Sequence, residues 1–281
     1  MIIDFHTHTF PDKIAARVIR QLEEKSLTRA YTHGTVQELA DTLVHSGVDY
    51  AVNLPVMSRV DQVEHVNHSL VRQKDELARK GIITFGGMHP DDPGYKEELR
   101  YLKEAGIKGI KIHPAYQQTD LDDIRYLRII EYASELGLIV ITHAGIDIGI
   151  SDHNYASVDM ILRVIRQVHP DKLVLAHMGG WGGWNEVESD LAGAPVYLDT
   201  AFSLGRIPQL DPAMPSILTE NMAIDDWTRL CRKHGIDKIL FASDSPWADP
   251  KEYRIAIECS LLSDEEKEKI LSGNARKLLA G

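Results

Sequence analysis

Cysteine is nearly absent: Cys231 and Cys259 are the only two in 281 residues. They lie far apart and form no C-x-x-C, so neither a disulfide framework nor a thiolate zinc site is expected, and a reducing cytoplasm fits. Basic charge is also scarce. The 31 Lys and Arg against 42 Asp and Glu leave a net charge of −11, with no local basic cluster to offset it, which argues against nucleic acid as a partner. No apolar run reaches the length of a spanning helix, and only five residues precede His6, so neither a membrane partner nor a cleaved leader is expected. The chain has no Gly/Ser/Pro linker, charge block or short repeat, and residues 1–281 read as one domain.

What the chain does have is alternation. Short apolar runs at 2–8, 49–55, 82–89, 108–113, 138–143, 172–178, 195–201 and 238–244 read as strands. Between them lie segments with helical apolar spacing, such as Leu39, Leu43 and Val44, or Leu127, Ile130 and Ala133. Gly47, Gly81, Gly106, Gly137 and Gly235 stand where helix C-caps belong. Eight strands alternating with helices predict an α/β fold with parallel strands, the (β/α)8 TIM barrel. The Gly-, Pro- and Trp-rich stretches 179–193 and 203–221 read as long loops over its mouth.

Chemistry concentrates at the strand ends. His6 and His8, two residues apart, can lean toward one ion. His143, His177 and Asp244 each end a later apolar run, and strand alternation then turns Ile139 and Ile141, Leu173 and Leu175, and Leu240 and Ala242 into the barrel. Imidazole nitrogen and carboxylate oxygen suit a divalent metal, so His6, His8, His143 and Asp244 are the expected ligands of one ion, zinc first and manganese second. His177 is the candidate proton shuttle or carbonyl-polarising donor, and Asp244 can add a catalytic role to its metal role by accepting a proton from bound water. A single buried His is usually a hydrogen-bonded core residue; the joint placement carries the metal reading.

Four further residues are candidate substrate contacts. Lys111 could hold a substrate carboxylate, bridge two metals once carboxylated, or pair inside the barrel with a carboxylate such as Asp199. His113 is either a pocket residue or a structural hydrogen bonder, and the same alternatives apply to His89. Arg206 could grip a substrate carboxylate or lie solvated in its loop. Trp247, like Trp181 and Trp184, could recognise a ring or pack the loop onto a helix.

Asp4-Phe5-His6-Thr7-His8, Gly106 to Pro114, Thr142-His143-Ala144-Gly145, Ala176 to Gly180, Phe241 to Pro246 and Asn274 to Leu279 together resemble the amidohydrolase-related family. This is the branch of the amidohydrolase superfamily that holds the aminocarboxymuconate semialdehyde decarboxylase-like metal-dependent hydrolases. The resemblance covers nearly the whole chain. It implies a mononuclear centre on His6, His8, His143 and Asp244, with His177 as acid/base, and a possible homodimer. Lys111 matches only loosely the strand-four group of the binuclear relatives. Two activities follow. The first expectation is hydrolysis of a small carboxylated lactone, amide or ester by metal-activated water. The alternative is non-oxidative decarboxylation of a carboxylated ring or muconate-like acid at the same site, and a third reading is a non-catalytic ligand-binding barrel.

Overall fold

The computed structural model describes residues 1–213 and 219–281; part of the 203–221 loop expected over the mouth lies outside the described residues. The strands are β1 (Ile3–Thr7), β2 (Tyr50–Asn53), β3 (Ile82–Thr84), β4 (Gly86–Gly87), β5 (Gly109–Ile112), β6 (Ile139–Thr142), β7 (Leu173–Leu175), β8 (Tyr197–Asp199) and β9 (Ile239–Leu240). All pair in parallel, as a three-stranded run β1 to β3 and a six-stranded run β4 to β9. β3 and β4 are halves of one stave interrupted at Phe85, which gives the eight staves expected from sequence.

The ring closes between its first and last staves. Phe5 N–H donates to Phe241 O at 2.8 Å, Asp244 N–H to His6 O at 2.9 Å and His8 N–H to Ser245 O at 2.7 Å. The Asp4 carboxylate, fully buried, reinforces that seam by accepting from Ser243 N–H at 3.0 Å and Ser243 Oγ at 2.5 Å. Closure therefore brings His6 and Asp244 together.

The helices between strands form for local reasons. Val36–Ser46 starts at a capping box in which Thr35 Oγ1 accepts from Glu38 N–H while Glu38 accepts from Thr35 N–H, and it ends at Gly47 with φ +67°, a conformation in which glycine is unstrained. Leu39 and Leu43 are buried as their spacing predicts, but Val44 is 81% exposed. The buried stripe on this helix passes through Leu39, Thr42, Leu43 and Ser46 instead.

Two apolar clusters divide the molecule. Val140, Ile110, Ile112 and Leu198 pack outward with the helices, whereas Phe5, Val52, Phe85, Ile139, Ile141, Val174, Leu240 and Ala242 fill the barrel. Alternation predicts β6 and β9 correctly, yet it fails for β7. There Val174 faces inward, and Leu173 and Leu175 join the outer cluster. The reason is at the strand end, where His177 and Met178 take φ of +58° and +54° and the chain turns sharply, so parity no longer counts from His177. β1 carries a register irregularity between Asp4 and Thr7, which lets both Phe5 and His6 point into the barrel.

Phe85 meets Phe5 edge-on with ring centroids 6.0 Å apart, and it occupies the space left by Gly109. A Cβ at Gly109 would lie 2.4 Å from Phe85 Cε2 and 2.5 Å from the backbone oxygen of Ile139. Gly109→Ala should therefore destabilise the barrel by about 3 kcal/mol, because a carbonyl cannot yield as a side chain can; chemical denaturation of the variant checks this.

Candidate metal centre and active site

At the C-terminal mouth, three acceptor atoms converge. His6 Nε2 lies 3.1 Å from His8 Nε2 and 3.4 Å from Asp244 Oδ1, and His8 Nε2 lies 3.1 Å from the same oxygen. Metal bonds of about 2.0 to 2.2 Å at tetrahedral or octahedral angles put donor atoms roughly 3.0 to 3.5 Å apart. The observed spacing falls in that range.

The hydrogen bonds behind the imidazoles fix their tautomers. His6 Nδ1 donates to Asp199 Oδ2 at 2.8 Å and His8 Nδ1 to the Leu54 carbonyl at 2.7 Å, so each Nε2 presents a lone pair to the centre. His177 Nδ1 donates to the Ala201 carbonyl at 2.9 Å. Its Nε2 must then accept from His143 Nδ1, 3.1 Å away, which leaves His143 Nε2 as a bare acceptor. That atom is buried without any hydrogen-bond partner. A buried lone pair with no donor is costly unless a cation meets it. His143 lies outside the closest set of His6, His8 and Asp244, and groups more tightly with His113 and Asp147.

Burial favours the neutral form of four of these imidazoles. It holds the pKa of His6, His113 and His143 well below the usual imidazole value, helped by Lys111 beside His6 and by His177 beside His143. His177 is pushed down to about 4, again chiefly by burial, with Asp244 opposing. Neutral imidazoles are the form that binds metal.

Lys111 reaches this cluster from below, with Nζ 3.2 Å from His6 Nε2 and the side chain 2% exposed. Burial lowers its pKa to about 8, against the pull of Asp199 and Asp244. His113 stacks on His143 at 4.5 Å and aims Nε2 at Asp147 Oδ2, 3.6 Å away. Trp247, half-buried, lines the mouth. The cavity here measures about 1380 Å³ and is lined by all of His6, His8, Lys111, His113, His143, His177, Asp244 and Trp247. Arg206 is exposed and lines a neighbouring cavity of about 400 Å³ instead, because its strand-like pairing with Glu220 carries it along the rim. His89 turns away to accept from Asp91 N–H at 3.2 Å. Trp181 and Trp184 are held by their indole N–H groups, to Asn221 Oδ1 and the His177 carbonyl.

Two acidic residues matter more here than the sequence suggests. Asp199 accepts from His6 Nδ1 and, through its other oxygen, from the backbone N–H groups of His177 and Ala201 at 2.9 and 3.1 Å. It orients two imidazoles at once. Its signal in sequence is that it ends β8, as Asp244 follows β9. Asp147, whose pKa burial pushes up to about 6, sits in the loop after β6 and has no comparable signal.

The sequence as a whole is matched by the amidohydrolase family model over residues 3–280. The chain belongs to the amidohydrolase family. No curated protein sequence matches it. Among solved structures it is similar to an uncharacterised TIM-barrel protein of Bordetella bronchiseptica (TM-score 0.73, 18% identity, 99% of this chain and 98% of that one). It is similar too to a dihydroxybenzoic acid decarboxylase of a Polaromonas species with bound manganese and 2-nitroresorcinol (0.71, 14%, 99% and 96%), and to the 5-carboxyvanillate decarboxylase of Sphingomonas paucimobilis (0.68, 13%, 99% and 98%). At these identities the likeness establishes the TIM barrel of this amidohydrolase.

Because Asp199 fixes the His6 imidazole, Asp199→Asn is expected to weaken affinity for an added divalent metal about 10- to 100-fold while the barrel stays folded. Competition with a chromophoric chelator, alongside circular dichroism, measures both.

Proposed function

We propose that this amidohydrolase is a divalent-metal-dependent, non-oxidative decarboxylase of a carboxylated, hydroxylated ring. The observation that carries the reading is the convergence of acceptor atoms of His6, His8 and Asp244 beside His177 in one open cavity. Decarboxylases among the structural neighbours support carboxy-lyase chemistry better than the hydrolysis that sequence places first, and the manganese in one of them supports manganese alongside zinc.

His6, His8, His143 and Asp244 would hold the ion. When bound, it would supply the positive charge that orients a carboxylate and an adjacent ring hydroxyl. The reaction breaks one carbon–carbon bond: the carboxyl group leaves as CO₂, and the electron pair left on carbon takes a proton. His177 is the residue to carry that proton. Its Nδ1 is committed to Ala201 O, so Nε2 is the atom that exchanges, giving up the bond it accepts from His143 Nδ1–H, and a site that disfavours the charged ring makes the protonated form a strong acid toward carbon. Asp244, held between two imidazoles, positions and balances charge. His113, with Asp147 behind it, faces the same cavity and is placed to hold a substrate hydroxyl.

Metal-loaded protein given hydroxybenzoic acids in D₂O should release CO₂ and place deuterium on the vacated carbon. Label from H₂¹⁸O in the product without CO₂ release would instead establish hydrolysis. His177→Gln should lower turnover by about 10² to 10⁴-fold with metal content unchanged.

A further inference from the structure

The cavity is larger than a single-ring acid needs: small-molecule pockets commonly run about 300 to 1,000 Å³, and this one reaches 1380 Å³. The excess lies to one side. From the mouth it continues between helix Asp12–Ser26 and helix Val63–Arg79, where Ile14, Val18 and Leu22 of the first and Val66 and Leu70 of the second form its walls. Residues four apart share one helix face, so Ile14, Val18 and Leu22 form an apolar row, faced by the pair Val66 and Leu70.

The two rows differ in a telling way. Val66 and Leu70 also pack against the outer core, whereas Ile14, Val18 and Leu22 remain half-exposed. Helix Asp12–Ser26 already has a separate buried stripe, Ala15, Ile19 and Ser26, that seats it. That stripe is buried, with Ala15 at 1% and Ile19 at 3% exposure, so the half-exposed second row is the apolar surface this helix leaves open to the cavity.

We infer that the substrate carries an extended apolar arm that lies along Ile14, Val18 and Leu22 while its carboxylated end sits at the His6, His8 and Asp244 cluster. The inference rests on the carboxylated-substrate reading above and adds its chemical class: an amphiphilic ring acid rather than a bare one. From Ile14 to Leu22 the helix rises roughly 12 Å, enough for an unbranched chain of nine or so carbons. Hydrocarbon arms suit the row itself, while Lys13, Asp61, Glu76 and Lys80 line other parts of the same cavity.

The test is a calorimetric titration of metal-loaded protein with 2-hydroxybenzoate and with 2-hydroxy-6-nonylbenzoate, in wild type and in Val18→Asn and Leu70→Asn. Methylene burial can add up to about fourfold in affinity each, so the nonyl acid should bind at least 100-fold tighter to wild type. In either variant that ratio should fall at least tenfold. A wild-type ratio near one overturns the inference, as it would if a second copy of the chain covered the groove, and so does a large ratio that both variants leave intact. Because the readout is binding, a failure to release CO₂ from either acid sinks the decarboxylase reading separately from the arm.

Discussion

The contact between Asp199 and His6 organises this site. A carboxylate buried at the end of β8 takes the Nδ1 proton of an imidazole on β1, and its other oxygen takes the backbone N–H of the residue that presents the His177 imidazole. One side chain thereby sets the tautomer of His6 and the position of His177. The backbone N–H groups of His177 and Ala201 help keep it ionised against a burial that pushes its pKa up to about 7. The charge of Lys111 acts in the same direction.

Around that contact the site is built of acceptors. Each Nδ1 of His6, His8 and His177 is pinned by an oxygen, and His143 is pinned through His177. The ring protons thus point away from the centre; Lys111 Nζ meets the His6 lone pair, and His143 Nε2 is left buried with no donor, a position well suited to a cation. The structure treats the amidohydrolase family's chemistry as a problem of where protons are not.

Much of this was legible in the sequence because the barrel repeats one pattern. Eight apolar runs gave the staves, and polar residues closing those runs gave His6, His8, His143, His177 and Asp244. Reading by parity failed where backbone geometry departs from a strand. His177 leaves β7 in a left-handed conformation, so its neighbours face opposite to expectation, and no residue type there announces that turn. The bulge in β1 likewise lets Phe5 and His6 share an interior that alternation would divide between them. Asp147 was invisible because it comes from a loop, where no period applies, and Arg206 lies on the rim because its placement depends on a pairing with Glu220 that spacing does not encode.

The seam between the first and last staves has a temporal meaning. His6 leaves the ribosome early and Asp244 late, and the hydrogen bonds from Phe5 to Phe241, from Asp244 to His6 and from Ser243 to Asp4 are the ones that bring them side by side. During synthesis the nascent polypeptide holds two imidazoles without their carboxylate partner. On the proposed metal reading, stable ion capture belongs to the final act of folding.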